Sequence, residues 1–260
     1  MFRNGTPVPR AVWQSQKARV LLKILIARRK AISREQLIEL LWPNVAPPIA
    51  SNRLSVLLWR LRNVLQPHAN TGPLAGNAGM VWLDRIHANI DVEEFLTEAI
   101  AALAAHRRGQ PDATERLMAA VAAYTGDFLE EEAHQDWAMP LAEEVRATYI
   151  ALLRALAARL RHSGDIDEAI RCLLKLLGQD PFDEQAHLEL INIQLDAGHL
   201  GQARRYYNIY QKRTNFDDHL RQGSKMPCAP TVFSGARVAL RTTGRADSVF
   251  TRRVGVGSLV

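Results

Sequence analysis

Asn52, Arg53, Ser55, Trp59, Arg60, Arg62 and Asn63 share the polar side of a stretch whose leucines recur at helical spacing. Arginine can donate two hydrogen bonds to the edge of guanine, and asparagine pairs with adenine in the same bidentate way. An α-helix fits the major groove, so this set on one helix points to contact with double-stranded DNA. The three arginines occupy different angles around the axis and must divide between bases and phosphates. The expected division gives Arg53 a base edge and Arg60 a phosphate. Trp59 is open between a core position against the turn and strand that follow and a place against sugar and phosphate; the core position is preferred. Lys17 and Arg19, with Lys23, are expected on the exposed side of an earlier helix. There they can meet phosphate, although a solvated cation is the commoner outcome. Taken alone, the 50–66 face also fits an ordinary amphipathic helix with solvated charges, so its neighbours must decide.

Other chemistry is not signalled. The sequence has no GxxxxGK[ST] loop, no GxGxxG after a strand, no HExxH and no GxSxG. The eight histidines are scattered, and most read as surface or turn residues. Glu130, Glu131, Glu132 and Asp136 could suggest a cation site, but a solvated acidic face or a helix N-terminal charge cluster is the expectation. Cys172 and Cys228 form no metal-ligand spacing; Cys172 reads as a helix-core residue and Cys228 as a free thiol in a loose tail. No enzyme activity, cofactor or metal is expected.

The elements that must carry the basic face follow from periodicity. A first helix over 16–29 has Val20, Leu21, Ile24 and Leu25 at helical spacing, with Arg28, Arg29 and Lys30 at the end favoured by the helix dipole. Ser33, with Gln36 three residues on, predicts a capping box for a second helix over 34–42, closed by Pro43. A stiff proline-containing loop is expected over 43–49. The third helix, 50–66, buries Leu54, Leu57, Leu58, Leu61, Val64 and Leu65. Residues 69–79 are rich in Gly, Asn and Pro and read as a turn, with a short strand over 80–83. Three helices, a glycine-rich turn and a strand make the order of a winged helix-turn-helix. The wing holds no Arg or Lys, so its contribution to the minor groove is expected to be small.

From 91 onward the chain reads as consecutive helices over 92–106, 112–124, 138–162, 166–178, 183–197 and 200–213. Gly164 recurs as Gly198 and Ala169 as Ala203, each offset by 34 residues, the period of a tetratricopeptide repeat. Glycine allows the turn between helices, alanine allows close approach, and Pro181 is expected to start the next repeat without a wasted N–H.

Charge separates the same regions. Residues 1–90 hold 13 Lys/Arg against 3 Asp/Glu, residues 91–213 hold 13 against 21, and residues 214–260 hold 7 against 3. The net +6 therefore conceals a basic head and an acidic middle with different partners. A basic domain is the footprint expected for nucleic acid, and the acidic part should repel phosphate and meet something else. Hydrophobic content of 47% fits a globular chain. The apolar run from Val20 to Ile26 is interrupted by Lys23 and too short to span a membrane, and 1–10 lack the apolar core of a secretory signal. Both favour the cytoplasm and no membrane partner.

The stretch QKARVLLKILIARRKAISREQLIELLWPNVAPPIASNRLSVLLWRLRNVL resembles the DNA-binding domain of bacterial regulators that carry a bacterial transcriptional activator domain, including the antibiotic-pathway regulators called SARP. The Lys-Ala-Arg start, the LLWP end of the second helix and Arg60-Leu61-Arg62 carry the likeness. IDVEEF (90–95), YTGDFL (124–129) and the Glu/Trp segment 132–137 resemble landmarks of the adjoining activator domain. The resemblance covers about 13–213. It implies an OmpR-like winged helix, a tetratricopeptide-like helical domain, tandem or dimeric binding to direct repeats, and recruitment of RNA polymerase through the 43–49 loop. Two departures stand out. Family members begin with several strands, of which only a remnant over 8–13 is expected here, so the head reads as truncated. The tail after Arg213 does not match the family's final helix.

The expected chain is mainly α, with a winged helix-turn-helix over 1–90, a tetratricopeptide-like activator domain over 91–213 and an irregular or disordered tail over 214–260. The expected function is sequence-specific regulation of transcription, as an activator, with self-association or another protein contact through the helical domain. The rival is a helical-repeat scaffold whose truncated basic head binds nothing.

Overall fold

A computed structural model describes residues 2–3, 6–9, 12–13, 15–65, 72–132 and 135–223, with side chains between 8 and 213. Strands β1 (Phe2–Arg3) and β2 (Thr6–Pro7) form a minimal antiparallel pair, with Phe2 opposite Pro7. The N-terminal strands therefore lie before 8–13, and the described residues of that stretch, 8–9 and 12–13, form no strand.

Helix α1 (Gln16–Arg28) buries Ala18, Leu21, Ile24 and Leu25, one face of a 3.6-residue period. Arg29 ends it in the left-handed region at φ 54°, donating its backbone N–H to the Ile26 carbonyl. Strand β3 (Ile32–Ser33) leads directly into α2 (Arg34–Leu41). The capping box forms as the sequence indicates: Ser33 Oγ accepts from the Gln36 N–H, and the Gln36 side chain accepts from the Ser33 N–H. Helix α3 (Pro47–Leu65) begins three residues before the expected start. Pro47 and Pro48 lie in its first turn, where prolines lose no intrahelical hydrogen bond. The connecting loop is accordingly shorter than expected.

Strands β4 (Leu74–Asn77) and β5 (Met80–Leu83) form a hairpin, and β3 pairs with β5, giving the antiparallel order β3–β5–β4. β4 corrects the expectation of an unstructured turn over 69–79. The hairpin closes on Asn77 opposite Met80, and the two turn residues, Ala78 and Gly79, have φ of 48° and 82°. Two positive φ values define the type I′ turn that matches strand twist. In β4, a side chain at Gly76 would come within 2.9 Å of the Met80 carbonyl oxygen, so the strand needs a glycine there. Leu74, Val81, Ile32 and the buried leucines of α1–α3 form one apolar cluster.

The remaining helices are α4 (Asp91–Arg107), α5 (Ala113–Ala123), α6 (Met139–Ser163), α7 (Ile166–Gln179), α8 (Glu184–Asp196) and α9 (Leu200–Gly223), with a short 3-10 turn at Glu130–Glu132. They bury a second cluster centred on Leu117, Leu152, Leu153, Leu173, Leu176 and Leu190. Phe95 and Tyr149 flank Tyr124, at ring-centroid distances of 5.6 and 3.8 Å. Gly164 and Gly198 take left-handed φ values of 91° and 75° at the α6–α7 and α8–α9 turns, and Ala169 and Ala203 are buried. Pro181 lies in the turn that precedes α8. The N-cap is Asp183, which accepts from the Ala186 N–H and pairs with Arg154 of α6. The α9 backbone continues past the expected boundary at 213; Cys228 and the rest of 224–260 lie outside the described residues.

Two further expectations are refined. His187 is buried, not a surface residue, with Nε2 3.0 Å from the Pro181 carbonyl and Nδ1 without a partner among the described residues. Glu130 and Glu131 are exposed, as a solvated acidic face requires, but Glu132 is half-buried. Glu132 accepts from Lys23 of α1 at 2.6 Å, and Glu131 lies 3.7 Å from the same ammonium. Just beyond, Trp137 and Ala138 insert into the apolar cluster of α1–α3. Cys172 is the core residue that its helix spacing indicates, and burial raises its thiol pKa.

Candidate nucleic-acid interface

The leucines of α3 fix the direction of every other side chain on it. With about 100° between residues, burial of Ala50, Leu54, Leu57, Leu58, Leu61 and Val64 leaves three outward strips. Asn52, Val56, Trp59 and Asn63 point most directly away from the core, and all four are exposed. Ile49, Arg53 and Arg60 lie along one flank, with Ser51, Ser55 and Arg62 on the other. The structure therefore puts the predicted set on one helix but splits its arginines: Arg53 and Arg60 together, Arg62 apart. Arg53 and Arg62 are exposed and Arg60 is half-buried. Among the described residues, none of the three guanidiniums has an ion-pair or hydrogen-bond partner.

Trp59 corrects the preferred core position. It is 60% exposed and stands on the outward strip. The apolar cluster beneath α3 is filled by leucines and Trp137 instead. Ser55 is not an isolated hydroxyl. It donates to the Ser51 carbonyl and accepts from the guanidinium of Arg34 at 2.7 Å. Arg34 opens α2, and its backbone N–H donates to the Gly79 carbonyl at the hairpin tip. Sequence reasoning does not single this arginine out, because its place at a helix start gives no periodic signal.

Lys17 and Arg19 are both exposed on α1, but they are placed differently. Lys17 Nζ donates to the Leu41 carbonyl at 2.7 Å and lies 5.1 Å from the centroid of Trp42. It thus satisfies a terminal carbonyl of α2, where a cation is favoured. Arg19 has no such contact among the described residues. Lys17, Trp42, Ile49, Arg53, Val56 and Arg60 line an open groove of about 670 Å³. Lys23, grouped in the sequence with these cations, is committed to Glu132 instead.

Electrostatics sharpen the asymmetry. Arg29 binds Glu93 and Glu144, each at 2.6 Å. Burial works against its charge, but the Glu144 and Glu93 contacts outweigh that and raise its pKa. Glu35, beside the α2 start, is held below the usual carboxylate range by its own backbone N–H and then by Ser33. The cations on α1's inner side are therefore neutralised by the acidic helices, while those around α3 are not. Among the described residues no group of His, Cys, Asp and Glu could hold a metal ion, and no helix is long and apolar enough to cross a membrane.

No curated protein matches the chain. A solved structure with a similar fold is Mycobacterium tuberculosis EmbR in complex with low affinity phosphopeptide, at a TM-score of 0.68 and 22% sequence identity. The likeness covers 82% of this chain and 57% of that one, so this chain spans little more than half the length of EmbR. At that identity the likeness is one of fold. Residues 90–217, from the end of the basic head into α9, match the model of the bacterial transcriptional activator domain.

Proposed function

We propose that the chain is a sequence-specific, DNA-binding regulator of transcription and not an enzyme. In this reading residues 1–90 form an OmpR-like winged helix-turn-helix, with α2 and α3 as its helix-turn-helix and β4–β5 as its wing. Residues 91–213 form a tetratricopeptide-like activator domain that makes protein contacts, with RNA polymerase and with a second copy or another protein. The protein acts in the cytoplasm as an activator. The observation that carries this is the outward face of α3, where Arg53, Arg60 and Arg62 have no internal counterion among the described residues, while acidic residues beyond 90 pair with Lys23 and Arg29. A chain that neutralises Lys23 and Arg29 with four glutamates but leaves these three unpaired is keeping cationic surface for a partner.

Asn52, Ser55, Trp59 and Asn63 then face base edges or the groove wall, Arg53 reads a base, and Arg60, Arg62, Lys17 and Arg19 supply phosphate contacts. Binding to promoter fragments measured across salt tests this. With roughly 4–6 phosphates neutralised, log K should fall against log salt with a slope of about −4 to −5. A salt-independent response, or no binding at low salt, would overturn the reading.

A further inference from the structure

Val56 stands on the outward strip of α3 and is 50% exposed. One helical turn away on either side are hydrogen-bonding residues: Asn52 and Arg53 before it, Trp59 and Arg60 after it. Ile49, 54% exposed, continues the apolar line toward the helix start, and both line the open groove beside Trp42. A β-branched residue on a solvated helix face costs helix stability relative to alanine, and it can donate and accept nothing. The position is therefore hard to account for by helix formation alone. The one apolar feature that the major groove presents is the C5-methyl group of thymine.

We propose that Val56, supported by Ile49, recognises thymine through its C5-methyl group, so that this protein's site contains a thymine selected by an aliphatic contact and not only by the arginines. This rests on the DNA-binding reading above. The cations on either side match the charge of the occupant: Arg60 and Lys17 line the same groove and bring phosphates to its rim, beside the base-reading Arg53. Aliphatic side chain and methyl group exclude water from each other when the helix seats, and cytosine, which lacks the methyl, leaves that surface wet.

The test uses the full chain and duplexes it selects from a random-sequence pool. Each thymine of a selected duplex is replaced singly by uracil, which removes the methyl and leaves every hydrogen-bonding edge intact. One position should lose about three- to five-fold in affinity, the scale of one buried methyl. With Val56→Ala that uracil penalty should shrink to nothing, while Val56→Ile should keep it. Circular dichroism of each variant matched to the parent establishes that the helix is intact. Selected duplexes that bind with the expected salt slope but tolerate uracil everywhere would overturn this inference and leave DNA binding standing. A uracil penalty unchanged by Val56→Ala would overturn it equally. Failure to select any duplex would remove the DNA-binding reading on which it rests.

Discussion

Arg53 and Arg60 lie two turns apart on one flank of α3, yet their surroundings differ. Arg53 is exposed near the start of the helix, where a major-groove helix presents its base-reading residues. Arg60 is half-buried further along, where its reach is restricted and a phosphate is the more accessible target. Arg53→Ala should therefore cost about 1–3 kcal/mol at one base position and relax preference there. Arg60→Ala should weaken all sequences alike and reduce the salt slope by about one. Binding of matched and single-mismatch duplexes across salt separates the two, and the reverse pattern would mean that the helix is seated with a different rotation. Buried Cys172 gives a second residue-scale test. Burial keeps it as the thiol, the unreactive form. In a Cys228→Ser background, a thiol reagent should modify Cys172 only as fast as the protein unfolds. Rapid labelling in native buffer would contradict its place in the core.

The elements differ in how clearly the sequence announces them. Helices α1, α2 and α4–α8 lie within a residue or so of the spans read from periodicity, because each buries a stripe that repeats every three to four residues. The capping box of α2 is legible for the same local reason. Strand β4 is not: Leu-Ala-Gly-Asn is turn chemistry, and only pairing with β5 makes it a strand. The start of α3 is displaced because prolines read as loop even where a first helical turn accepts them. Trp59 defeats the expectation because the apolar bulk of an indole argues for burial even on the polar side of the helix, and nothing local reveals that leucines already fill the cluster. The hairpin turn is a weak point of its element. Ala78 holds φ 48°, a region that costs a residue with a Cβ about 1 kcal/mol or more, whereas asparagine tolerates it. Ala78→Asn should raise Tm by about 2 °C, and Gly76→Ala should lower it by forcing β4 from the Met80 carbonyl. Calorimetry of both variants checks the turn; an Ala78→Asn variant melting below the parent would show that the tip is not type I′.

At the scale of the whole folded body, the basic and acidic regions of the sequence are not independent. Lys23 meets Glu132, Arg29 bridges Glu93 and Glu144, and Trp137 is buried in the cluster of α1–α3 although it precedes α6. The Arg29 contacts join residues 64 and 115 positions apart, which no local pattern can reveal. The ion pairs are partly solvated and each is worth about 1 kcal/mol or less. Trp137 matters more, since removing a buried aromatic ring costs about 3–5 kcal/mol. Its effect has a convenient readout, because the other four tryptophans, Trp13, Trp42, Trp59 and Trp82, all precede α4, whereas most of the helix follows Leu83. In Trp137→Ala, fluorescence therefore reports the α1–α3 cluster and far-ultraviolet circular dichroism reports mainly α4–α9. Urea titration should show the fluorescence transition moving to lower denaturant than the dichroism transition, since the lost contact stabilises the first cluster through the second. Restoring an aromatic ring with Trp137→Phe should bring the two curves back together. Coincident transitions in the alanine variant, shifted equally, would mean that the two clusters unfold as one unit whatever joins them, and that the Trp137 contact is not what couples them.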